Sequence, residues 1–276
     1  TDLYHCRGRC TLSSCRREWN PPFQPALVTT VMDPVSVVLL ALLILAAALL
    51  YSSVGHAGAS GYLAAMALFG LAPAVMKPTA LALNILVAAI AFTLFYRAGC
   101  FSWSVFWPFA LGAVPFAFIG GSLTLPGPAY KIIVGLVLLY SAVRLFLTTG
   151  QQNLTTRPLP VGVAVFLGVG IGFLSGLTGV GGGIFLSPLL LFMGWADARN
   201  TAGVSSAFIL VNSVAGLLGH YSSVANLPAA IPLWAAAAGA GGWAGARYGS
   251  RRFSGATIRR TLSAVLVIAG LKMIFT

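Results

Sequence analysis

Acidic side chains are almost missing from this chain. Asp and Glu together number four against sixteen Lys and Arg, and charges of either sign make up 7% of 276 residues. A soluble globular domain carries roughly a quarter charged residues, so that class is excluded. The net charge of +12 would suggest a nucleic-acid partner in a soluble protein. Here the basic residues fall between apolar runs and read as topology signals, with no nucleic acid implied. Cysteine is equally scarce: Cys6, Cys10 and Cys15 lie near the start and only Cys100 follows. Their spacing matches no common zinc pattern and no second ligand pair follows, so neither a metal nor a cofactor is expected. HExxH and GxSxG are absent, which argues against an intramembrane enzyme. No Asp or Glu lies inside an apolar run, since Asp33 and Asp197 stand at the ends of runs. That excludes a carboxylate proton relay and leaves any sodium site to carbonyls and hydroxyls.

Apolar residues are what the chain has in abundance, at 58% of the sequence with a mean hydropathy of +0.93. Ten apolar segments follow from Met32 onward: Val35 to Ser53, Ala59 to Leu71, Thr79 to Tyr96, Val105 to Leu125, Ala129 to Leu147, Val161 to Leu177, Gly183 to Trp195, Thr201 to Leu218, Pro228 to Ala246 and Ile258 to Phe275. Eight are long enough to span a membrane. The second and seventh, thirteen residues each, reach only about 20 Å against a hydrocarbon core of ~30 Å. They read as half-helices, each joined to the preceding segment by a glycine break. Residues 1–31 stand apart, with four Arg, three of the four Cys and no helical apolar pattern. They show no signal-peptide layout. Met32, followed by Asp33-Pro34, reads as a natural initiator, and the 31 residues before it as an upstream extension outside the fold.

The breaks are SSVGHAGASGYLA, Ser52 to Ala64, and LSGLTGVGGGIFLSP, Leu174 to Pro188. Gly55 and Gly58 answer Gly179 and Gly182 at one constant offset, Gly70 answers Gly194, and Lys77-Pro78-Thr79 answers Arg199-Asn200-Thr201. The chain is therefore doubled, residues 32–150 and 151–276, with five segments in each copy. Whether the short segment crosses or returns as a hairpin, each copy crosses an odd number of times. The expected fold is thus an all-α polytopic membrane protein of two inverted five-segment repeats, with eight full spans plus two half-helices, or ten spans. Basic residues orient it. Arg97, Arg144, Arg157, Arg199, Arg247, Arg251, Arg252, Arg259 and Arg260 fall inside, against Lys77, Lys131 and Lys272 outside. The four Arg of residues 1–31 oppose that orientation unless the extension lacks influence. Trp103, Trp107, Trp195 and Trp234, near segment ends, suit interfacial belts.

Non-helical backbone at membrane depth survives only where it is buried or lines a wet cavity. Each break precedes a half-helix whose first N–H groups lack partners and whose dipole favours negative charge, so two such starts converging would hold an anion. The candidate site residues are Gly55, His56, Gly58, Ser60 and Gly61 at the first break, and Ser175, Thr178, Gly179, Gly181, Gly182 and Gly183 at the second. The helices that follow add Asn84, Ser205 and Ser206, with Asn84 and Ser206 at equivalent positions. The alternative for the glycines is close helix packing. Lys77 and Arg199 stand at equivalent entrances, as snorkelling anchors or as anion-attracting mouths. His56 is the one ionisable side chain at a break. It is either a structural residue or a carrier of a coupling proton, since histidine changes charge near neutral pH.

These motifs, with a Pro78-Thr79 and Asn84 approach to the third segment and Asn200-Thr-Ala-Gly-Val-Ser-Ser206 after the seventh, resemble the TauE/SafE family of sulfite exporters. The resemblance covers nearly everything from Met32 onward. It implies a bacterial inner-membrane transporter for sulfite, sulfonates or related small sulfur anions, with no prosthetic group. The first copy departs from the fuller glycine run, with His56, Ala57 and Ala59 where the second has Val180, Gly181 and Gly183. The function expected is outward movement of a small sulfur oxyanion across the lipid bilayer by alternating access. An anion channel, a carrier of another small organic anion, and a structural assembly factor are the alternatives.

Overall fold

Asp33 begins the first helix by accepting a hydrogen bond from the Ser36 amide at 3.1 Å, and Pro34 fills the first helical position, where a missing N–H costs nothing. The structure, a computed structural model, describes residues 33–147, 157–221 and 227–250, with 267, 270–271 and 274–275 near the end. The chain divides into two units, Thr1–Val31 and Met32–Thr276, and every described residue belongs to the second. The expected extension, the Cys6, Cys10 and Cys15 group, Arg251, Arg252, Arg259, Arg260, Lys272 and most of the tenth segment lie outside the described residues.

Among the described residues all regular structure is helical. The elements are α1 (Pro34–Ser52), α2 (Ala59–Leu68), α3 (Pro73–Arg97), α4 (Trp103–Ser122), α5 (Gly127–Leu147), α6 (Val161–Thr178), α7 (Gly183–Met193), α8 (Ala198–Gly219) and α9 (Ile231–Gly249). Five of them, α1, α3, α4, α6 and α8, are long and apolar enough to cross a membrane. Eight such segments were expected. The apolar stretch of α5 is shorter, Gly127–Val143, and α9 has the length but is built largely from Ala and Gly, which are only mildly apolar. At 10 and 11 residues, α2 and α7 reach about 15 to 17 Å. The third segment was expected to begin at Thr79, but α3 already starts at Pro73 and takes in Lys77 and Pro78. In the second turn Pro78 removes only one ladder bond.

The helices pair in a way that repeats when the two halves are exchanged. The first helix of each half lies on the fourth of the other, α1 on α9 and α6 on α4. The third does the same, α3 on α9 and α8 on α4, while α3 also packs on α8. Glycine permits these approaches. A Cβ on Gly168, Gly172 or Gly176 of α6 would stand 2.5, 2.2 and 2.0 Å from the carbonyl oxygens of Phe109, Ala113 and Ala117 in α4. Gly241, Gly245 and Gly249 of α9 sit equally close to the carbonyls of Leu45 and Leu49 in α1 and of its C-cap Ser53. Close packing of small residues therefore accounts for these two rows. Trp103 and Trp107 are exposed as a belt requires, but Trp234 is fully buried and donates from Nε1 to the Val37 carbonyl at 3.3 Å.

Candidate functional site

The first break is a tight turn that closes α1. Val54 N donates to Tyr51 O, Gly55 N to Ser52 O and His56 N to Tyr51 O, at 3.1, 3.1 and 3.0 Å. Gly55 has φ +80 and Gly58, the N-cap of α2, has φ +103. The α2 ladder opens with Tyr62 N on Gly58 O at 2.9 Å, so the N–H groups of Ala59, Ser60 and Gly61 lie upstream of it. Ser60 donates to the Tyr51 hydroxyl at 2.8 Å and Tyr62 donates its hydroxyl to Ala57 O. Gly61 faces Ala47 and Tyr51. Ser60 and Gly61 thus fasten α2 to α1.

At the second break Gly179 caps α6 in the left-handed region, its N–H on Ser175 O at 2.9 Å. Gly181 and Gly182 follow with φ +83 and +80. Phe185 and Leu186 both donate to Gly182 O at 3.1 Å, which leaves the N–H groups of Gly183 and Ile184 ahead of the α7 ladder. Thr178 donates to Leu174 O at 2.7 Å, and its carbonyl accepts from Tyr130 at 3.2 Å. Ser175 is fully buried, lies against Gly182, and its hydroxyl has no partner among the described residues. An orphaned buried hydroxyl beside free amide groups is what a polar ligand would satisfy.

The two breaks meet across the halves. Gly55 approaches α8 so closely that a Cβ would stand 2.4 Å from the Ala202 Cα, and Gly179 lies on Lys77 of α3. His56, half-buried, sets Nε2 3.2 Å from Gly183 O and 3.1 Å from Ser187 Oγ. Ser187 in turn is 2.7 Å from Ser205 Oγ. Asn84, fully buried in α3, donates to Val180 O at 3.3 Å and to Ser213 Oγ at 3.4 Å, while its own Oδ1 has no partner. Ser206 is not its counterpart here: it bonds back to Gly203 O at 2.8 Å in its own helix. Ser187 and Ser213 are the polar neighbours that sequence reasoning left out of the site. Helical spacing could have found them, since Ser187 lies four residues beyond Gly183 and Ser213 two turns beyond Ser205.

Neither expected entrance cation reaches the breaks as a free charge. Lys77 is buried at 4% exposure and donates to Gly121 O at 3.0 Å, Leu123 O at 3.2 Å and Gly120 O at 3.5 Å. Its ammonium caps the negative end of α4. Arg199 is exposed in the first turn of α8, behind an N-cap Asp197 that accepts from Asn200 N at 2.8 Å. Just beyond α8, burial first and the Lys77 charge second hold His220 below the usual histidine range. Among the described residues no group of three or more His, Cys, Asp or Glu could hold a metal ion. The arrangement offers backbone N–H groups, hydroxyls, one amide and one imidazole. Those groups suit a small, hydrogen-bond-accepting anion.

Residues 40–273 match the family model described as Sulfite exporter TauE/SafE. The "Probable membrane transporter protein y4hK" of Sinorhizobium fredii is 42% identical over 232 residues, which is 83% of this chain and 94% of that protein. No solved structure matches.

Proposed function

The chain belongs to the TauE/SafE sulfite exporter family and is a multi-pass membrane protein, at home in bacteria in the inner membrane; from that premise we propose that it exports sulfite or a related small sulfur oxyanion by alternating access. The observation that carries the reading is the crossing of the two breaks, where His56 and Asn84 of the first half meet Gly183 and Val180 of the second. In this reading the N–H groups at the start of α7 replace the water an anion sheds, with the first break brought against them through His56. The orphaned Ser175 hydroxyl supplies a further donor. Positive-φ glycine at 182 lets the backbone turn into α7 while Phe208, Ile171 and Ser175 pack where a Cβ would stand.

Exchange of the helix pairings between halves supports an inverted repeat, because two copies that each cross an odd number of times point opposite ways. Rocking of one half on the other, along the glycine rows of α6 and α9, then opens the breaks to each face in turn. The test is flux of radiolabelled sulfite from proteoliposomes. Saturable efflux, stimulated by unlabelled sulfite on the far side, is expected. Conductance without exchange identifies a channel instead, and no movement of sulfite or sulfonates overturns the substrate class.

A further inference from the structure

Both ring nitrogens of His56 face carbonyl oxygens: Nδ1 lies 3.2 Å from Val54 O and Nε2 3.2 Å from Gly183 O. A carbonyl only accepts, and a neutral imidazole has a single N–H. With Nδ1–H given to Val54, a neutral ring turns a lone pair toward Gly183 O unless a donor intervenes. Ser187 is that donor, 3.1 Å from Nε2, and its hydroxyl is linked at 2.7 Å to Ser205. Ser187 and Ser205 are 7% and 0% exposed, so no bulk water replaces either. Two proton arrangements fit the same heavy atoms. In the neutral one, Ser205 donates to Ser187 and Ser187 donates to Nε2. In the charged one, Nε2–H donates to Gly183 O and Ser187 turns to donate to Ser205.

Among the described residues the site also has no fixed positive charge. Lys77 is held by the α4 carbonyls, and Arg199 is exposed. Among the groups facing His56 are Tyr51 of α1, with ring centroids 6.5 Å apart, and Ser187 of α7, which Ser205 of α8 joins from behind. Tyr51 is itself engaged by Ser60 of α2. Among the described residues of α1, α2, α7 and α8 the one charged side chain is Arg199, and none is acidic. An anion in a dry site needs a charge partner, and an imidazolium at Gly183 stands at the start of α7, where the anion would lie.

We infer that His56 is the proton-binding member of the anion site: a proton from solution joins Nε2 as the anion arrives, and the Ser187–Ser205 hydroxyl pair reverses with it. The inference rests on reading the second break as the anion site. Anion and proton then cross together, with less net charge to move through the bilayer.

Imidazole NMR of the full chain in nanodiscs, labelled on its three histidines, tests this, with His56→Gln assigning the signal. Reading the ring itself keeps the protonation of sulfite out of the measurement. Sulfite should raise the His56 midpoint by about one pH unit, which is a tenfold linkage. Without anion, Ser187→Ala should raise the midpoint by roughly half a unit to one unit, because the neutral ring loses its donor. Ser205→Ala should lower it by less, because the charged form loses the acceptor for Ser187. Calorimetric sulfite binding that leaves His56 unmoved, or serine variants that shift it in one direction or not at all, overturns the inference and leaves the transport reading standing. Absence of sulfite binding at every pH overturns both.

Discussion

At the first break a side chain reaches out, His56 onto Gly183 and Ser187. At the second break backbone receives, with Val180 O taking Asn84 and Gly183 O facing the imidazole. Both crossings start in the first half and end in the second. Lys77 and Arg199 diverge in the same way: one is buried on the end of α4, the other exposed on α8. His56 and Val180, which answer each other in the two breaks, have thus separated into one that presents a side chain and one that presents its carbonyl. A ligand between them meets a titratable charge on one side and fixed amide dipoles on the other.

The hardest blow to this comparison is Gly55→Ala. Its Cβ would stand 2.4 Å from Ala202 backbone atoms, at a φ of +80, so the neighbour cannot give way as a side chain would. Overpacking and left-handed strain together cost about 2 to 6 kcal/mol. Loss of the monodisperse folded peak in size exclusion, or a large drop in melting temperature, is the expected outcome. A variant that melts as wild type does would mean the halves do not meet there.

Lys77→Met comes next. It leaves the carbonyls of Gly121 and Leu123 without their charged donor, at a cost of about 1.5 to 3 kcal/mol per lost charged hydrogen bond. Thermal melting should fall clearly, and Lys77→Arg should restore part of it. If Lys77→Met melts normally but transports poorly, Lys77 serves the anion rather than α4.

Gly182→Ala separates site from scaffold. The atoms its Cβ would meet are side-chain ends, the Phe208 ring at 2.9 Å and Ile171 Cγ2 at 3.2 Å, together with Ser175 Cβ at 3.3 Å. The fold should survive, while sulfite binding weakens roughly tenfold, equivalent to about 1.4 kcal/mol. Wild-type affinity in well-folded Gly182→Ala protein would remove the glycine break from the binding site.

Smallest of all is Arg199→Gln. An exposed first-turn arginine steers anions through a screened field, so melting should stay put and sulfite flux should slow only at low ionic strength. Slowing that persists at high salt would place Arg199 in contact with the substrate.

Much of this arrangement was legible in the chain. Long apolar runs can only be helices in lipid, where every backbone group must be bonded within its own segment, and the breaks at Gly55 to Gly58 and Gly179 to Gly182 occur where the repeat puts them. Boundaries were less legible where a lysine and a proline interrupt the first turns of a helix. Pro73 opened α3 earlier than its apolar run did, and Lys77 consequently went from a supposed entrance to a buried cap.

What the sequence determined by itself was the membrane class and the two interrupted helices, because hydropathy and glycine are local properties that every residue carries with it. Only the tertiary structure decided which break supplies side chain and which supplies backbone, that Ser187 turns to His56, and that Ser205 rather than Ser206 joins Ser187. The His56 contacts among them depend on distances between residues more than a hundred positions apart. Such distances are set by how closely the glycine rows let α4 meet α6 and α1 meet α9, and periodicity within one segment carries no record of how closely two segments approach.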